Sequence, residues 1–281
     1  HQYMLFFTQK GKCFWMRVYE IPEGSKNSKG RAIQNLINIE QDDKVKAFIC
    51  TQDLKDEDYV NSHYVIMATK MGQVKKTSLE QYSRPRSNGI NAITIKDDDE
   101  LLEAKLTNGN SQIMLAVKSG KAIRFEENKT RPMGRNASGV RGIRLKDNKD
   151  EVVGMISVND MDANILVVSE NGFGKRSSLE DYRLTNRGGK GVKTISITEK
   201  TGKLVTLKSV SDNDDLMIIN KSGIAIRMQV EDLRVMGRAT QGVKVISIKE
   251  GDSIAAVAKV MKDEEEIEDL GDIEFTGDTV E

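Results

Sequence analysis

Cysteine, histidine and aromatic residues are scarce in this chain of 281 residues. Two cysteines, Cys13 and Cys50, are too few for a framework of disulfide bridges, and both lie in apolar strand-like segments. We therefore expect reduced core thiols in a cytoplasmic protein. His1 and His63 are too isolated to form a metal site with them. Aromatic residues make up 5% of the chain, which argues against a stacking platform for single-stranded nucleic acid.

Long apolar runs and catalytic motifs are also missing from the sequence. No run approaches the length that a bilayer requires and no secretory leader is evident, so we expect no membrane partner. We find no Ser-His-Asp or Cys-His arrangement, no Walker-type phosphate loop and no dinucleotide fingerprint. The sequence therefore predicts no catalytic residue, metal site or cofactor in this chain. Because it begins with His1 rather than methionine, we expect it to be a fragment of a longer protein.

The charges are balanced in number but separated along the chain. There are 43 basic and 43 acidic residues, yet residues 262–281 hold ten acids and one lysine. Residues 1–261 accordingly hold 42 basic and 33 acidic residues. We divide the chain into a basic body, 1–261, and an acidic C-terminal tail, 262–281. This pattern is typical of a nucleic-acid binder that carries its own competitor, and a solvated terminus without a role is the alternative.

A unit of roughly 50 residues occurs five times. Each unit has an apolar run, a turn glycine, a second strand and then a loop glycine. The turn glycines are Gly11, Gly72, Gly120, Gly172 and Gly223, and the loop glycines are Gly30, Gly89, Gly139, Gly191 and Gly242. After each loop we expect two more strands around a polar turn, such as Ala92–Ile95 and Leu101–Leu106. The repeat predicts an all-β, propeller-like disc of about five four-stranded blades.

The fourth unit shows the local signals most clearly. Ile165–Val168 is a short apolar run that predicts a buried strand. Asn171-Gly172 predicts a type I′ hairpin turn, in which both central residues have positive φ. Helical patterns are limited to single turns such as Leu179–Tyr182. The sequence therefore predicts hairpins and very little helix.

Basic residues recur at fixed places in the units. Four residues after the turn glycine stand Lys76, Arg124, Arg176 and Arg227, whereas the first unit has Trp15 there and Arg17 two residues later. If the units surround one axis, equivalent positions fall on one ring, so we predict a cationic belt around the rim. Its candidate DNA-binding residues are Arg17, Lys29, Arg31, Lys75, Lys76, Arg84, Arg86, Lys121, Arg124, Arg131, Arg135, Arg141, Lys175, Arg176, Arg183, Arg187, Lys190, Lys193, Arg227, Arg234, Arg238 and Lys244.

Such a belt suits the phosphate backbone of duplex DNA, because exposed cations and bare glycine amides both bind phosphate. To follow the rim the duplex must curve, and smooth bending of 20–30 base pairs by 40–90° costs on the order of 1–6 kcal/mol. Several blades together can offset that cost. We therefore expect weak sequence preference and steep salt dependence.

Four stretches carry a family resemblance. TNRGGKG at Thr185–Gly191, TRPMGRNASGVRGIRL at Thr130–Leu145, GKRSSLEDY at Gly174–Tyr182 and VMGRATQGVKVISI at Val235–Ile248 closely resemble the C-terminal domain of the DNA gyrase A subunit. The resemblance extends to about Val260.

The resemblance implies a β-pinwheel, six-bladed in the family, in which neighbouring blades exchange an outer strand. It also implies a basic perimeter that wraps double-stranded DNA with positive handedness to direct ATP-dependent negative supercoiling. The catalytic tyrosine and the ATP and Mg²⁺ sites would lie elsewhere in a cytoplasmic, nucleoid-associated A2B2 holoenzyme, which also contains the gyrase B subunit.

The hallmark box of the family, Gln-Arg-Arg-Gly-Gly-Lys-Gly, is present only in altered form. Thr185, Asn186, Arg187, Gly188, Gly189, Lys190 and Gly191 match five of its seven positions and resemble a degenerate copy in a late blade. The opening segment from Cys13 resembles the second blade of the family, so we expect the first blade and its box to be absent from this chain.

Two other interpretations remain open. The topoisomerase IV A subunit carries a related C-terminal pinwheel that selects DNA geometry. A propeller that binds a protein partner is the other interpretation, but it predicts apolar loops, and these loops are rich in arginine, lysine and glycine.

Overall fold

The structure is a computed structural model that describes residues 2–24, 29–249 and 251–261. The acidic tail, 262–281, lies outside the described residues, so its predicted role as a competitor stays a prediction. Within the described ranges the chain forms five consecutive antiparallel sheets, which confirms the predicted all-β blades.

The strands follow the predicted repeat. In chain order they are β1 Tyr3–Thr8, β2 Lys12–Arg17, β3 Val45–Thr51, β4 Tyr64–Thr69, β5 Gln73–Ser78, β6 Ile90–Asn91, β7 Leu101–Thr107, β8 Gln112–Val117, β9 Lys121–Glu126, β10 Val140–Arg141, β11 Val152–Val158, β12 Asn164–Ser169, β13 Phe173–Ser178, β14 Val192–Lys193, β15 Leu204–Val210, β16 Asp214–Asn220, β17 Ala225–Gln229, β18 Val243–Lys244 and β19 Ile254–Met261. Helices are short: α1 spans Glu57–Ser62, and 3-10 turns span Val18–Glu20, Ile33–Asn35, Leu79–Tyr82, Glu127–Lys129 and Leu179–Asp181.

Neighbouring blades exchange their outermost strand. The sheets run β3-β1-β2-β6, β7-β4-β5-β10, β11-β8-β9-β14, β15-β12-β13-β18 and β19-β16-β17. In each of the first four, the fourth strand comes from the loop of the next blade. The exchange has one register throughout, since the residue after the turn glycine pairs with the incoming strand, as Lys121 does with Lys193 and Phe173 with Lys244.

The fifth blade departs from the prediction of four strands per blade. It has three strands among the described residues, because the fourth strand of every complete blade belongs to the following one. Ile224 and Ile226, next to or within β17, are 47% and 41% exposed. Ile123, which matches Ile226 in the third blade, is 2% exposed, and there the exchanged strand β14 pairs with β9.

The hairpin turn at Gly172 differs from the predicted type I′ turn. Gly172 has φ +80°, but the only non-glycine residue with positive φ in the described chain is Asp98, so Asn171 is not left-handed. The N–H of Gly172 donates to Ser169 O over 3.1 Å. This is a three-residue loop, a type I turn followed by a left-handed glycine, and the glycine alone supplies the unusual conformation.

The apolar core is divided among the spaces between blades. Leu5 and Phe7 of the first blade pack with Val65 and Met67 of the second. The same arrangement recurs between each later pair of blades. Cys13 belongs to this core, but Cys50 is exposed, so the prediction of two core thiols is wrong for Cys50, whose strand position faces outward.

The third strand of each blade lies at the axis of the disc. Residues of β3, β7, β11, β15 and β19 together line one cavity of about 680 Å³. With the innermost strands fixed there, the second and exchanged strands lie at the outer side. The loops that carry the exchanged strands therefore form the rim.

Candidate nucleic-acid interface

Four rim loops lie between the second strand of one blade and the strand that it donates to the blade before. We define them as residues 83–89, 130–139, 183–191 and 234–242. Close backbone packing fixes them. A Cβ on Gly191 would come within 2.5 Å of Ala122 O in the preceding blade, and Gly191 has φ +69°. A side chain there would force the loop away from the disc, because the contact is with backbone and φ is left-handed.

Each of the last three rim loops presents an exposed arginine at an equivalent position. Arg131, Arg183 and Arg234 each follow the 3-10 turn or its counterpart at the end of the second strand. None of the three forms an ion pair among the described residues. Their charge is therefore uncompensated at short range and available to an external anion.

Most of the other predicted contacts are also exposed. Arg17, Lys29, Arg31, Arg84, Arg86, Arg141, Lys190, Lys193, Arg227 and Lys244 are exposed, and Lys121 and Arg135 are half-buried. Among these, Arg17 donates to the hydroxyl groups of Tyr3 and Tyr19, and Arg227 pairs with Asp215. Arg141, Lys193 and Lys244 lie on exchanged strands, so each stands next to the loop of a different blade.

The prediction of a belt four residues after the turn glycine is wrong for three of its four cations, Lys76, Arg124 and Arg176, whereas Arg227 is exposed. Lys76 is buried and its Nζ lies 3.0 Å from Glu127 Oε1. Arg124 Nη1 donates to Leu179 O and Tyr182 O, both over 2.9 Å. Arg176 is buried, donates to Leu233 O and pairs with Asp212. These cations hold the turn of the following blade, and their donors are directed inward rather than to the rim.

Lys75 and Lys175 are likewise corrected, because both are fully buried. Lys75 Nζ donates to Ala92 O and to Arg135 O. Lys175 Nζ donates to Gly237 O over 2.6 Å and to Thr240 Oγ1. Burial, followed by the charge of Arg135, lowers the pKa of Lys75 to about 7, and burial lowers the pKa of Lys175 to about 8. Both lysines fasten rim loops from beneath.

Two loop arginines divide their donors between the protein and solvent. Arg187 donates from Nε to Lys129 O and from Nη1 to Arg141 O, over 2.9 and 3.0 Å. Arg238 makes the same pair of bonds to Asp181 O and Lys193 O. Each guanidinium thus ties its loop to the blade before while remaining half-exposed. Since a guanidinium has five donors, it retains capacity for a phosphate.

The degenerate box forms the last seven residues of the rim loop 183–191. The N–H of Thr185 donates to Arg124 O over 2.9 Å, and the N–H of Gly188, with φ +80°, donates to Gly142 O over 2.6 Å. Asn186 and Lys190 are exposed. Together with Arg183 they border a cavity of about 160 Å³. The box therefore presents the Lys190 ammonium group and the Asn186 side-chain amide to solvent, while Gly188 binds the neighbouring blade.

Two further clusters are visible only in three dimensions. Arg84 and Arg86 of one rim loop and Arg135 of the next border a cavity of about 400 Å³. A second cavity, of about 470 Å³, is lined by Lys118, Lys146, Lys149, Lys193 and Lys203 together with Asp147 and Asp150. Only Lys193 of that group is a predicted contact. In the sequence, the aspartates between these lysines make the stretch look neutral. In the structure, the Asp150 carboxylate accepts hydrogen bonds from Ser119 and does not form an ion pair with one of these lysines among the described residues.

The described residues contain no group of three or more histidine, cysteine, aspartate or glutamate side chains arranged to hold a metal ion. No helix in the described ranges is both long and apolar enough to span a bilayer.

Comparison with known proteins places these features in a family. The family model described as "DNA gyrase C-terminal domain, beta-propeller" matches residues 2–52, 63–108, 112–159, 163–211 and 214–261. The DNA gyrase A subunit of Staphylococcus aureus strain NCTC 8325 is 43% identical over 268 residues, which are 95% of this chain and 30% of that protein. The chain thus spans 29–30% of the length of the relatives that it matches.

Solved structures agree on the fold. The crystal structure of the C-terminal domain of DNA topoisomerase IV matches with a TM-score of 0.83 at 26% identity, over 92% of this chain and 79% of that one. A structure of the DNA gyrase A C-terminal domain matches with a TM-score of 0.78 at 24% identity, over 93% of this chain and 83% of that one.

Proposed function

This chain belongs to the DNA gyrase C-terminal domain family, and from that membership we propose that its rim binds duplex DNA and bends it around the disc. The supporting observation is the exposed, uncompensated arginine that three successive rim loops carry at one position: Arg131, Arg183 and Arg234. Cations spaced around a convex edge neutralise phosphates along a curved path. The contacts are with the backbone, so they position the duplex without reading its sequence.

The domain itself is non-catalytic in this proposal. It serves the DNA gyrase A subunit, which forms a type II topoisomerase together with the B subunit in a cytoplasmic A2B2 holoenzyme. There the wrapped duplex is presented for strand passage, and ATP-dependent turnover introduces negative supercoils. ATP and Mg²⁺ belong to other parts of that assembly.

Salt-dependent binding to a duplex tests the proposal. With six to ten phosphate contacts, affinity should fall by roughly 10³–10⁵ between 50 and 200 mM salt. Replacing Arg183 and Arg234 by alanine should weaken binding and reduce the slope of log affinity against log salt by about 2, roughly one for each lost phosphate contact. Fluorescence anisotropy with a labelled duplex measures both quantities.

Lys55→Ala is the control. Lys55 is exposed between β3 and α1 and is not part of a rim loop, and the substitution removes one surface cation. The double variant is expected to lose affinity and slope while Lys55→Ala changes neither. Equal behaviour of the two variants would refute the rim as the binding surface.

The topoisomerase IV A subunit is a second candidate parent, favoured by the higher TM-score to the topoisomerase IV C-terminal domain. The identity to the gyrase A subunit over nearly the whole chain favours the first. Relaxed circular DNA separates the two with the assembled enzyme. Gyrase introduces negative supercoils in the presence of ATP, and relaxation or decatenation without supercoiling would assign the chain to topoisomerase IV.

A further inference from the structure

The rim loops repeat an apolar side chain as well as a cation. The residue after each exposed arginine is Pro132, Leu184 or Val235, which we define as the apolar row. All three are exposed, Leu184 by 45% and Val235 by 51%. Single exposed apolar residues are common on protein surfaces. One that recurs beside an unpaired arginine in three successive blades is a feature of the rim rather than surface scatter.

The backbone holds this row in place by the same contacts each time. Pro132, Leu184 and Val235 form parallel bridges with Lys76, Arg124 and Arg176, the middle residues of the second strand in the preceding blade. The next residue in each loop then donates its N–H to the carbonyl of that strand residue, over 2.8, 2.9 and 2.8 Å for Met133, Thr185 and Met236. Because the backbone is anchored on the disc, the side chain is fixed outward.

The cations that the belt prediction misplaced support this arrangement. Arg124 binds the carbonyl groups of Leu179 and Tyr182, and Arg176 binds that of Leu233. These carbonyls belong to the segment just before Leu184 and Val235. A guanidinium of the preceding blade therefore orders the chain that presents Leu184 and Val235, each with its exposed arginine.

We propose that the apolar row packs against the sugars of duplex DNA where the minor groove faces the disc, between phosphates held by the flanking arginines. The inference rests on the proposed function. The charge of the rim loops identifies duplex DNA as the partner. Exposed arginines and apolar residues alternate along the rim, as phosphates and sugars alternate along the edge of a duplex. The rim loops also carry glycine amides, which suit the same partner.

The direction of bending limits the kind of contact. Side chains that wedge between base pairs from the minor groove bend the duplex toward its major groove, away from the protein. A duplex that follows the rim bends the opposite way, so intercalation would oppose wrapping. The proline, leucine and valine side chains here are also short. Packing on the surface of a narrowed minor groove agrees with their length and with the direction in which the duplex bends.

Apolar packing has a thermodynamic signature distinct from that of a phosphate contact. It releases no counterions, so its loss lowers affinity at every salt concentration without changing the salt slope. Replacing Leu184 and Val235 by serine in this 281-residue chain should weaken binding on the order of tenfold, because the variant no longer has the apolar side-chain area that is buried against the duplex. The double variant Leu184→Ile with Val235→Ile should retain affinity.

Phe48→Ser is the matched control, since Phe48 is 65% exposed but lines the axial cavity. We expect it to leave duplex affinity unchanged. A duplex carrying 2-aminopurine should show no gain in fluorescence on binding, because the bases stay stacked; a strong gain would overturn the packing geometry in favour of a wedge.

Two outcomes of the serine variant would overturn the inference: unchanged affinity, or a loss of affinity accompanied by a reduced slope. Thermal unfolding of each variant shows that the fold is kept. If the unaltered chain fails to bind duplex at all, the proposed function fails instead, so the two failures are distinguishable.

Discussion

Whether a lysine or arginine side chain is buried or exposed depends on the face of the strand from which it extends. Lys75 and Lys76 are adjacent in β5, so their side chains leave the strand on opposite faces. Lys75 donates to Arg135 O in a rim loop, and Lys76 pairs with Glu127. Both are buried, although lysine is usually an exposed residue. Spacing from a glycine identifies equivalent positions but does not reveal exposure.

The buried charge of Lys75 should make stability depend on pH. Its folded pKa is about 7, below the ordinary value of 10.5, so the unfolded chain binds more protons between those values. The free energy of unfolding then rises with pH across that window, by on the order of 1–2 kcal/mol between pH 7 and 9. Urea denaturation at the two pH values measures this rise.

Lys75→Ile isolates the contribution, since isoleucine stands at the equivalent position of the third blade as Ile123. The variant should show a smaller rise with pH than the unaltered chain. An identical rise in both proteins would mean that Lys75 keeps its proton over the whole range. Lys175→Ile provides an independent test in the fourth blade, with the rise beginning near its pKa of about 8.

At the scale of elements, the hairpins are readable from the sequence and the exchanged strands are not. The apolar run Ile165–Val168 matches β12, Asn164–Ser169, and Leu179–Tyr182 matches a single 3-10 turn. The predicted strand Ala92–Ile95 is instead the two-residue β6, Ile90–Asn91. Ala92 and Ile93 leave the ladder because their N–H groups donate to Gly11 O of the first blade. An exchanged strand is short, and its partner lies in another repeat.

The turn glycines offer a test at this scale, because two of them share a conformation but differ in surroundings. Gly172 has φ +80°, and a Cβ there would lie 2.5 Å from Ile246 O. Gly223 has φ +85° and nothing within 4 Å of that position. Gly172→Val should therefore cost more stability than Gly223→Val, which bears the conformational penalty of roughly 1–2 kcal/mol without a clash. Thermal unfolding compares them, and equal losses would show that the exchanged segment does not pack on the turn.

At the scale of the whole molecule, the sequence predicts the disc better than its binding surface. Turn and loop glycines in register indicate the blades, because the fold repeats one backbone. Arg131, Arg183 and Arg234 are exposed in the rim loops, as the predicted belt requires, and their contact with DNA stays a prediction. The inward contacts of Lys76, Arg124 and Arg176 are not predictable, since their partners Glu127, Tyr182 and Asp212 come from later in the chain than their own hairpins.

The charge asymmetry of the chain leads to a prediction at the same scale. Deleting residues 262–281 removes ten acids and one lysine and should tighten duplex binding at low salt, where long-range repulsion is weakly screened. The gain should disappear at high salt. A chain of full length whose tail acids are replaced by asparagine and glutamine separates charge from length. If both variants bind like the unaltered chain, the tail does not compete with DNA.

Strand exchange also has a consequence for how the protein emerges during synthesis. A sheet that begins with β1 and β2 receives β6 from the following repeat, so its outer edge stays unpaired until that repeat has been translated. Folding is thereby coupled to the direction of translation, each newly released segment completing the sheet made before it. Pausing on the ribosome should leave one open edge regardless of how many repeats precede it. Removing an internal repeat should leave a seam where a donor no longer meets its native acceptor.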